Sequence, residues 1–387
     1  MNRKIYVATS SRADLGLLRE LIIGLHSDEE VDFKLIVTGS HLSEKHGLTS
    51  TEIDFIPDSA QIKIDAFDEN DSVLGIAKTI GSTVYQSADF FHSSKPDILV
   101  VLGDRFEILS VVIAAHLSGI PVAHIHGGEV SEGAIDESFR HSITKMSQVH
   151  FVAAEEYRNR VIQLGEDPKQ VFLVGGMGAD AISKLKIIPK EEIAESLKIK
   201  FKEKSLLITF HPVTLELDSS ERQLAELLMA LSELKETTLI FTMPNADTNN
   251  SSLRIMIDDF AYANENAFVF NSLGSQLYLS CMFHSDGVVG NSSSGLLEAP
   301  SMKKGSVNVG NRQRGRLAAR SVIHCDAQKD SIRIALGRLF SADFRDGLES
   351  IENPYGVAGA AEKIHGVLKE ITLDSLMKKK FYDKSPD

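Results

Sequence analysis

The sequence predicts an α/β protein made of two doubly wound, Rossmann-like domains that face a cleft. Short apolar runs alternate with longer amphipathic stretches, this alternation occurs twice, and 387 residues are enough to form two cores. Strands that are apolar throughout are typical of a parallel sheet covered by helices on both faces. Because ligands bind beyond the carboxyl ends of such strands, we expect the polar motifs in the loops that follow them.

The first series of predicted strands and helices occupies the N-terminal half. Its strands are Ile5–Thr9, Phe33–Val37, Ile98–Leu102, Val122–Ile125, Val149–Val152 and Val171–Val174. Its helices are Leu15–Leu25, Ser72–Phe91, Phe106–Leu117, Phe139–Met146 and Glu155–Leu164. A glycine-rich and then lysine-rich stretch follows, so we expect the hinge near residues 176–200.

The second series repeats the pattern. Its strands are Leu206–Phe210, Thr238–Thr242, Ala267–Phe270, Gly287–Val289 and Ser306–Val309. Its helices are Glu221–Leu234, Ser251–Tyr262, Ser275–Met282, Gly295–Glu298 and a terminal one at Val357–Thr372. We therefore expect an N-terminal domain over 1–178 and a second domain over 179–360. A C-terminal helix and tail over 361–387 should pack back on the first domain, with the lysines at 378–380 frayed.

Composition excludes several classes of protein. With 41 Lys+Arg against 54 Asp+Glu the net charge is −13, which argues against broad binding to nucleic acid or to anionic membranes. No run approaches the ~20 apolar residues of a membrane span. Cys281 and Cys325 form neither a disulfide framework nor a metal-ligand pattern, and indicate a reducing compartment. We expect a cytoplasmic protein with no membrane partner.

The loops after the first and third predicted strands carry charged residues. Ser11, Arg12 and Asp14 precede a helical pattern, which favours an N-terminal cap but also fits an anion site with Arg12 as a clamp. Asp104 and Arg105 follow a buried strand directly. They fit either a cap with a surface ion pair or an acid/base group, and their place at the strand's carboxyl end favours the latter.

The densest cluster of ionisable residues runs from His124 to His141. It combines imidazoles, carboxylates and glycines after an apolar strand, and its carboxylates include Glu129, Glu132, Asp136 and Glu137. Close carboxylates and imidazoles are what general acid/base catalysis needs, because their pKa values can be shifted apart. His124 itself fits a hydrogen-bonded core histidine. No spacing here matches a metal site, so none is predicted.

In the second half, the polar loops predict an anion site. His211 and Thr214 follow one strand, and the segment Gly290–Gly295 contains three consecutive serines after another. A Gly/Ser-rich turn between a strand and a helix suits phosphate through its N–H groups and hydroxyls. Arg312, Arg314 and Arg316 form a local basic island next along the chain, and arginine pairs suit phosphate. No Walker A motif is present, and no dinucleotide fingerprint follows the first strand.

Six motifs in order resemble the hydrolysing UDP-N-acetylglucosamine 2-epimerases of bacterial sialic acid synthesis, over about residues 3–370. The motifs are Ser11–Asp14, Leu102–Arg105, His124–Glu129, Arg140–Ser147, Gly290–Gly295 and Gly310–Gln313. The resemblance implies a GT-B-type arrangement, UDP against the C-terminal domain, and the sugar at the N-terminal loops. It implies elimination of UDP to a 2-acetamidoglucal, followed by hydration to N-acetylmannosamine.

The resemblance also implies roles for single residues. Implied catalytic residues are Asp104, Arg105, His126, Glu129, Asp136 and Glu137. Implied UDP contacts are Arg12, His211, Ser292, Ser293, Glu298 and Arg312. Implied sugar contacts are Asp14, His41 and Arg140. Some family members carry a glutamate where this chain has His126, so either His126 or Glu129 takes the proton-transfer role, or the loop marks a different subgroup. Which of His126, Glu129 and the Asp136/Glu137 pair is the base and which is the acid stays open.

Several readings of the function stay open at this point. The sugar is N-acetylglucosamine or its 2,4-diacetamido-2,4,6-trideoxy analogue of legionaminic acid synthesis. A non-hydrolysing epimerase, a GT-B glycosyltransferase and a non-catalytic nucleotide-sugar sensor are the alternatives. The His-Gly-Gly-Glu and Arg-His-Ser-Ile-Thr-Lys segments favour the hydrolysing branch. The resemblance implies no cofactor and at least a homodimer.

Overall fold

In the computed structural model the chain forms two compact units. Residues 2–45, 47–70, 72–131, 135–212, 217–243, 250–374 and 376–383 are described, without the side chains of residues 217–219, 250 and 251. One of the two units, called the N-terminal unit, comprises Met1–Glu129, Asp136–Ala181 and Gly356–Asp387. The second, the C-terminal unit, comprises Val130–Ile135 and Ile182–Tyr355.

The N-terminal unit contains a parallel seven-stranded sheet. Its strands are β1 (Arg3–Thr9), β2 (Val31–Val37), β3 (Gln61–Lys63), β4 (Ile98–Leu102), β5 (Val122–Ile125), β6 (Val149–Val152) and β7 (Val171–Leu173). Its first helices are α1 (Arg12–Ser27), α2 (Val73–Ser93), α3 (Phe106–Leu117), α4 (Asp136–Met146), α5 (Glu155–Gln163) and α6 (Met177–Ser183). The strand order is β3-β2-β1-β4-β5-β6-β7, so the order reverses between β1 and β4.

The C-terminal unit contains a parallel six-stranded sheet whose strand order also reverses once. Its strands are β8 (Lys204–Thr209), β9 (Thr237–Thr242), β10 (Ala267–Phe270), β11 (Gly287–Gly290), β12 (Gly305–Val309) and β13 (Val322–Cys325). Its helices are α7 (Lys190–Leu197), α8 (Leu217–Leu231), α9 (Asn250–Ala263), α10 (Gly274–His284), α11 (Ser294–Leu297), α12 (Lys329–Leu339) and α13 (Ala342–Asp346). The order β10-β9-β8-β11-β12-β13 reverses between β8 and β11.

The expected α/β class with two doubly wound parallel sheets is confirmed. The fully buried strands β4, β5 and β6 begin and end where the sequence placed them. Elements with a mixed pattern were missed. Strand β3 has only three residues, none of them buried, and α7 lies inside the lysine-rich stretch read as a hinge.

The start of α4 is a correction that bears on the site. The sequence placed the start of this helix at Phe139, but it begins at Asp136. Asp136 and Glu137 therefore lie in its first turn, where carboxylates interact favourably with the positive end of the helix dipole. This places both carboxylates on a regular element.

The end of the chain packs on the N-terminal unit. Helix α14 (Ala360–Glu370) lies against α1, and its Ile364 and Leu368 belong to the same apolar cluster as Leu18 and Leu21. The expectation of a frayed lysine tail is wrong, because the ammonium group of Lys379 is held by four hydrogen bonds. None of the described helices is long and apolar enough to cross a membrane.

Candidate functional site

Predicted site residues of the N-terminal unit follow β1 and β4, the two strands between which the sheet order reverses. Ligands of open α/β sheets bind outside the carboxyl ends of strands at such a reversal. After β1, Arg12 begins α1, and the carboxylate of Asp14 accepts the backbone N–H groups of Ser10 and Ser11 at 2.7 Å each. Asp14 therefore has the capping role that this loop's sequence favoured, and its contact with a sugar stays a prediction.

His41 is buried beside the same loop. Its Nε2 lies 3.0 Å from Thr9 Oγ1 and its Nδ1 lies 2.8 Å from Thr49 Oγ1. Burial lowers the pKa of His41, and its electrostatic neighbours include Asp14, Arg105 and Arg12. The structure thus brings these four predicted residues close together, with His41 neutral near pH 7.

Arg105 is fixed by an ion pair that is not on the surface. Its Nε and Nη2 donate to the two carboxylate oxygens of Glu107, at 3.2 and 3.0 Å. The Glu107 side chain is completely buried, and that of Arg105 is about one quarter exposed. A bidentate pair of this kind orients the guanidinium. Arg105 is therefore a pre-positioned cation after β4.

Arg140, on α4, lies among the carboxylates that were predicted as acid/base residues. Its side chain is buried, Nη2 pairs with the carboxylate of Asp104, and Nη1 donates to the carbonyl oxygen of His126 over 3.0 Å. Burial alone lowers the pKa of a guanidinium, yet the pKa of Arg140 is raised because carboxylates surround it. These carboxylates belong to Asp104, Glu129, Glu137 and Asp136. Four predicted acid/base residues therefore lie around one buried cation.

His126 and Glu129 form a buried pair after β5. His126 Nδ1 lies 3.2 Å from Glu129 Oε1, and His126 Nε2 accepts the backbone N–H of Met177 at 3.3 Å. Because a backbone N–H only donates, the ring proton must be on Nδ1, facing Glu129. The Nε2 lone pair is thereby engaged, which argues against His126 as the group that takes a proton from a substrate.

Asp136 and Glu137 are partly exposed at the start of α4. His141, one turn further on, lies 3.1 Å from Glu137 Oε1 through its Nε2. Glu132, which belongs to the same predicted cluster, lies outside the described residues. Two accessible carboxylates thus lie at the helix start, while Arg140 faces inward.

His124 has the structural role that the sequence allowed for it. It is fully buried on β5, with Nε2 2.8 Å from the carbonyl oxygen of Gly103 and Nδ1 3.1 Å from Thr144 Oγ1. Burial lowers its pKa to about 3, so it is neutral at physiological pH. It ties the loop after β4 to α4.

In the C-terminal unit, the loops after β8 and β11 are joined by Asn291. Its Oδ1 accepts the backbone N–H of His211 at 2.6 Å, and its Nδ2 donates to the carbonyl oxygen of His211 at 2.8 Å. Gly290 makes this approach possible, since its φ is +132° and a Cβ there would lie 2.0 Å from Thr209 O. The two loops at the second reversal point are therefore held as one piece. Thr214 lies outside the described residues.

The backbone carbonyl of Asn291 extends this arrangement. It accepts from Arg312 Nη1 at 3.0 Å and from Gln313 Nε2 at 2.8 Å. Arg314 is exposed, and Arg316 instead contacts Val130 and Ser131. Arg312 is therefore the arginine of the predicted basic island that is tied to Asn291.

His211 itself is almost fully buried. Burial lowers its pKa well below the usual value, and the charge of Arg312 lowers it further. Its Nδ1 has no hydrogen-bond partner among the described residues. His211 is therefore a neutral imidazole with an unused ring nitrogen beside Arg312.

Hydroxyl groups line the loop after β11. Ser292 and Ser293 are half-buried and precede α11, and Glu298 follows it directly. Tyr278, on α10, packs among Thr209, Ser292 and Ser294, and burial raises its pKa to about 12. Its hydroxyl stays protonated and can act as a hydrogen-bond donor.

Sequence reasoning missed three residues that organise these sites. Asn291 was quoted in its motif but given no role, although an asparagine directly after a buried strand is a signal for loop bridging. Glu107 was read only as one half of a surface pair. Tyr278 lies within a helix, and its sequence neighbours give no sign of its position. Among the described residues, no group of three His, Cys, Asp or Glu is placed to hold a metal ion.

Comparison with known proteins agrees with this geometry. Residues 24–369 match the family described as UDP-N-acetylglucosamine 2-epimerase. The GDP/UDP-N,N'-diacetylbacillosamine 2-epimerase (hydrolyzing) of Campylobacter jejuni is 37% identical over 383 residues, 98% of this chain and 99% of that protein. The polysialic acid biosynthesis protein P7 of Escherichia coli is 36% identical over 98% of this chain and 97% of its own length.

A solved structure shows the same fold at lower identity. The UDP-GlcNAc 2-epimerase of Neisseria meningitidis, bound to UDP-GlcNAc, has a TM-score of 0.80 at 20% identity, covering 94% of this chain and 99% of that one. Fold, site and relatives define an enzyme that acts on UDP-sugars. The chain belongs to the UDP-N-acetylglucosamine 2-epimerase family.

Proposed function

We propose that this protein is a hydrolysing 2-epimerase of a UDP-linked 2-acetamido sugar, which releases UDP and the free sugar inverted at C2. The observation that carries the proposal is the buried Arg140, which pairs with Asp104 and whose charge is stabilised by the carboxylates of Glu129, Asp136 and Glu137. Such a set supplies a base and an acid on a fixed frame, as proton transfer at a carbon atom requires. The hydrolysing activity in the name of the C. jejuni relative supports the same conclusion.

The two units divide the work in this proposal. The C-terminal unit, which contains most of the sequence-based domain 179–360, binds UDP through the loops joined by Asn291. There Arg312 and the serine hydroxyls meet the diphosphate, the neutral His211 offers a ring nitrogen, and Glu298 accepts from the ribose. The N-terminal unit, which contains most of the sequence-based domain 1–178, carries the sugar chemistry.

The first step is an anti-elimination. Asp104 takes the C2 proton, a double bond forms between C1 and C2, and the bond from C1 to the UDP oxygen breaks with its electron pair going to UDP. We assign Asp104 as the base because its carboxylate is partly exposed and its position is fixed by the contact with Arg140. Arg105, oriented by Glu107, meets the charge that develops on the diphosphate, as electrostatic stabilisation requires.

The second step adds water to the 2-acetamidoglucal. The hydroxyl goes to C1 and a proton goes to C2 on the face opposite to the one deprotonated, which inverts the centre. Asp136 and Glu137 are the accessible carboxylates at the start of α4, so we assign the water and this proton to them. His126 and Glu129 are too buried to reach a substrate and act as supports for the loop.

The sugar that we favour is N,N'-diacetylbacillosamine, the 2,4-diacetamido-2,4,6-trideoxy analogue. The C. jejuni relative, matched over nearly its whole length, carries this sugar in its name. UDP-N-acetylglucosamine is the second candidate, because the family description names it. Both have the 2-acetamido group and the C2 proton that the reaction uses.

The test is to incubate the protein with each nucleotide sugar separately in deuterated water and to follow the products by NMR. We expect UDP and the free 2-epimeric sugar with deuterium at C2, formed faster from UDP-N,N'-diacetylbacillosamine. The same incubations without protein are the control. Turnover of only UDP-N-acetylglucosamine to N-acetylmannosamine would move the substrate to the second candidate.

Two results would overturn the proposed reaction. A stable UDP-linked 2-epimer as product would indicate a non-hydrolysing epimerase. No release of UDP and no deuterium at C2 with either sugar would exclude both reactions for these substrates. Self-association into a homodimer stays a prediction, and analytical ultracentrifugation of the purified protein would test it.

A further inference from the structure

The C-terminal segment Lys379–Tyr382, called the C-terminal strap, is bound to the end of the helix that carries Arg140. The Lys379 ammonium group donates to the carbonyl oxygens of Lys145 and Ser147, at 2.5 and 2.7 Å. Lys145 is in the last turn of α4 and Ser147 follows it. The last carbonyls of a helix lack partners within the helix and attract cations. Lys379 thus caps α4 from a distant part of the sequence.

The same ammonium group completes a buried ionic cluster. Glu166 is almost fully buried, and its carboxylate receives Lys379 at 2.8 and 3.0 Å, Lys145 at 2.6 Å and His150 at 3.0 Å. Burial alone would raise the pKa of Glu166, but these donors lower it to about 2. Glu166 keeps two other partners if Lys379 is replaced, so the fold does not depend on this one lysine.

Aromatic and backbone contacts fix the position of the strap. The ring of Phe381 packs directly against Gly165: a Cβ added to Gly165 would lie only 2.3 Å from the nearest carbon of this ring. Lys145 Nζ lies 5.0 Å from the centre of the same ring. The backbone N–H of Tyr382 donates to the carbonyl oxygen of Gly165 at 2.9 Å. Gly165 has a φ of +88°, so a side chain there would be both strained and in collision. The absence of a side chain at Gly165 therefore leaves room for the strap to bind the N-terminal unit.

Helix α4 links the strap to the charged cluster. Arg140 and Thr144 are four residues apart and both are buried, so they share the inner face of the helix. Thr144 is tied through His124 to the carbonyl oxygen of Gly103, the residue before Asp104. A small rotation or shift of α4 therefore moves Arg140 relative to Asp104.

We propose that Lys379 is a positioning residue for the reaction: it holds α4 in the register that places Arg140 beside Asp104. This inference rests on the proposed function for its kinetic consequences. Lys379 touches no predicted substrate contact, and it acts through the C-terminal end of α4. A displacement of about 1 Å in a catalytic frame is enough to lower a rate by two orders of magnitude.

The test compares three variants of the full chain. Lys379→Met removes the charge and keeps the length, Lys379→Arg keeps the charge, and Lys380→Met changes the exposed neighbouring lysine. We expect Lys379→Met to lower kcat about tenfold with KM and the affinity for UDP unchanged. Lys379→Arg should recover most of the rate, and Lys380→Met should match the unaltered protein.

A second measurement does not depend on activity. Hydrogen exchange followed by mass spectrometry should show faster exchange in the last turn of α4 for Lys379→Met, and no change for Lys380→Met. If the protein turns over neither nucleotide sugar, the proposed function fails, and exchange in α4 still decides whether Lys379 holds this helix. The inference is overturned by unchanged exchange there, by a kcat within twofold of the unaltered protein, or by an arginine variant as slow as the methionine one.

Discussion

The loops at the two sheet reversals use opposite means to hold their residues. In the N-terminal unit, ionised groups hold one another: Arg140 pairs with Asp104, and Arg105 pairs with Glu107. In the C-terminal unit, a neutral side chain, Asn291, binds the backbone of His211 and offers its own carbonyl to Arg312. The first arrangement can exchange protons, whereas the second can only donate and accept hydrogen bonds.

This difference indicates that the N-terminal unit is suited to proton transfer and the C-terminal unit to nucleotide binding. Groups that must change protonation during a reaction need charged neighbours to set their state. A loop that receives a nucleotide needs fixed donors, and an amide clamp supplies rigidity without a charge that could repel the diphosphate. Replacements in the two units should therefore affect different measured quantities.

The largest expected effect comes from Asp104→Asn, which keeps the shape of the side chain but removes the proposed base. We expect kcat to fall about a thousandfold, within the range usual for loss of a general base. Affinity for UDP, measured by isothermal titration calorimetry, should stay within threefold. Asp89→Asn, at an exposed position on α2, is the control and should leave both quantities unchanged. Substantial turnover by the Asp104→Asn variant would show that Asp104 is not the base.

The converse replacement is Asn291→Ala in the C-terminal unit. It leaves the backbone N–H and C=O of the buried His211 without their partner, which costs about 1–3 kcal/mol for each unsatisfied group. We expect the Kd for UDP to rise about thirtyfold, while kcat at saturating substrate falls less than tenfold. If UDP binds the alanine variant as tightly as the original protein, the loops joined by Asn291 are not the nucleotide site.

A pair of glycine replacements tests how tightly each reversal is packed. Gly290→Ala would put a Cβ 2.0 Å from the carbonyl oxygen of Thr209, whereas Gly103→Ala meets no atom within 4 Å and strains only a backbone with φ of +82°. We expect the free energy of unfolding in urea to fall by about 3–5 kcal/mol for Gly290→Ala and by about 1–2 kcal/mol for Gly103→Ala. Equal losses would show that the C-terminal turn has room to relax.

The smallest effect is a pH dependence of stability that arises from His124. Its pKa is about 3 in the folded protein and 6.5 in the unfolded chain, so the unfolded chain binds the proton first as the pH falls. Its contribution to stability is complete above pH 6.5 and is lost towards pH 3, by up to about 1.4 kcal/mol per pH unit. His124→Gln should make urea-derived stability depend less steeply on pH between pH 6.5 and 5, and His92→Gln, at an exposed position, should not change this slope. Parallel slopes for all three proteins would contradict this assignment.

Strands that are buried on both faces could be predicted from the sequence, because nearly all of their residues are apolar: β4 is entirely so, and β5 and β6 contain one histidine each. Strand β13 could not, since its last two residues, His324 and Cys325, are less buried and break the apolar pattern. The predicted site residues cluster as expected at the carboxyl ends of strands. Their pairing could not be predicted, because it depends on how α4 packs and on which of its residues face inward. Arg140 is buried on the same side of α4 as Ile143 and Thr144, and it pairs there with Asp104.

The path of the chain between the units has a consequence for synthesis on the ribosome. Residues 182–355 of the C-terminal unit are continuous, whereas the N-terminal unit is completed by α14, which covers α1. The unit translated first is therefore finished last. At roughly 5–20 residues per second, about 180 residues separate the end of α6 from α14, a delay on the order of 10–40 s. During that time the surface of α1 that packs against α14 lacks this cover.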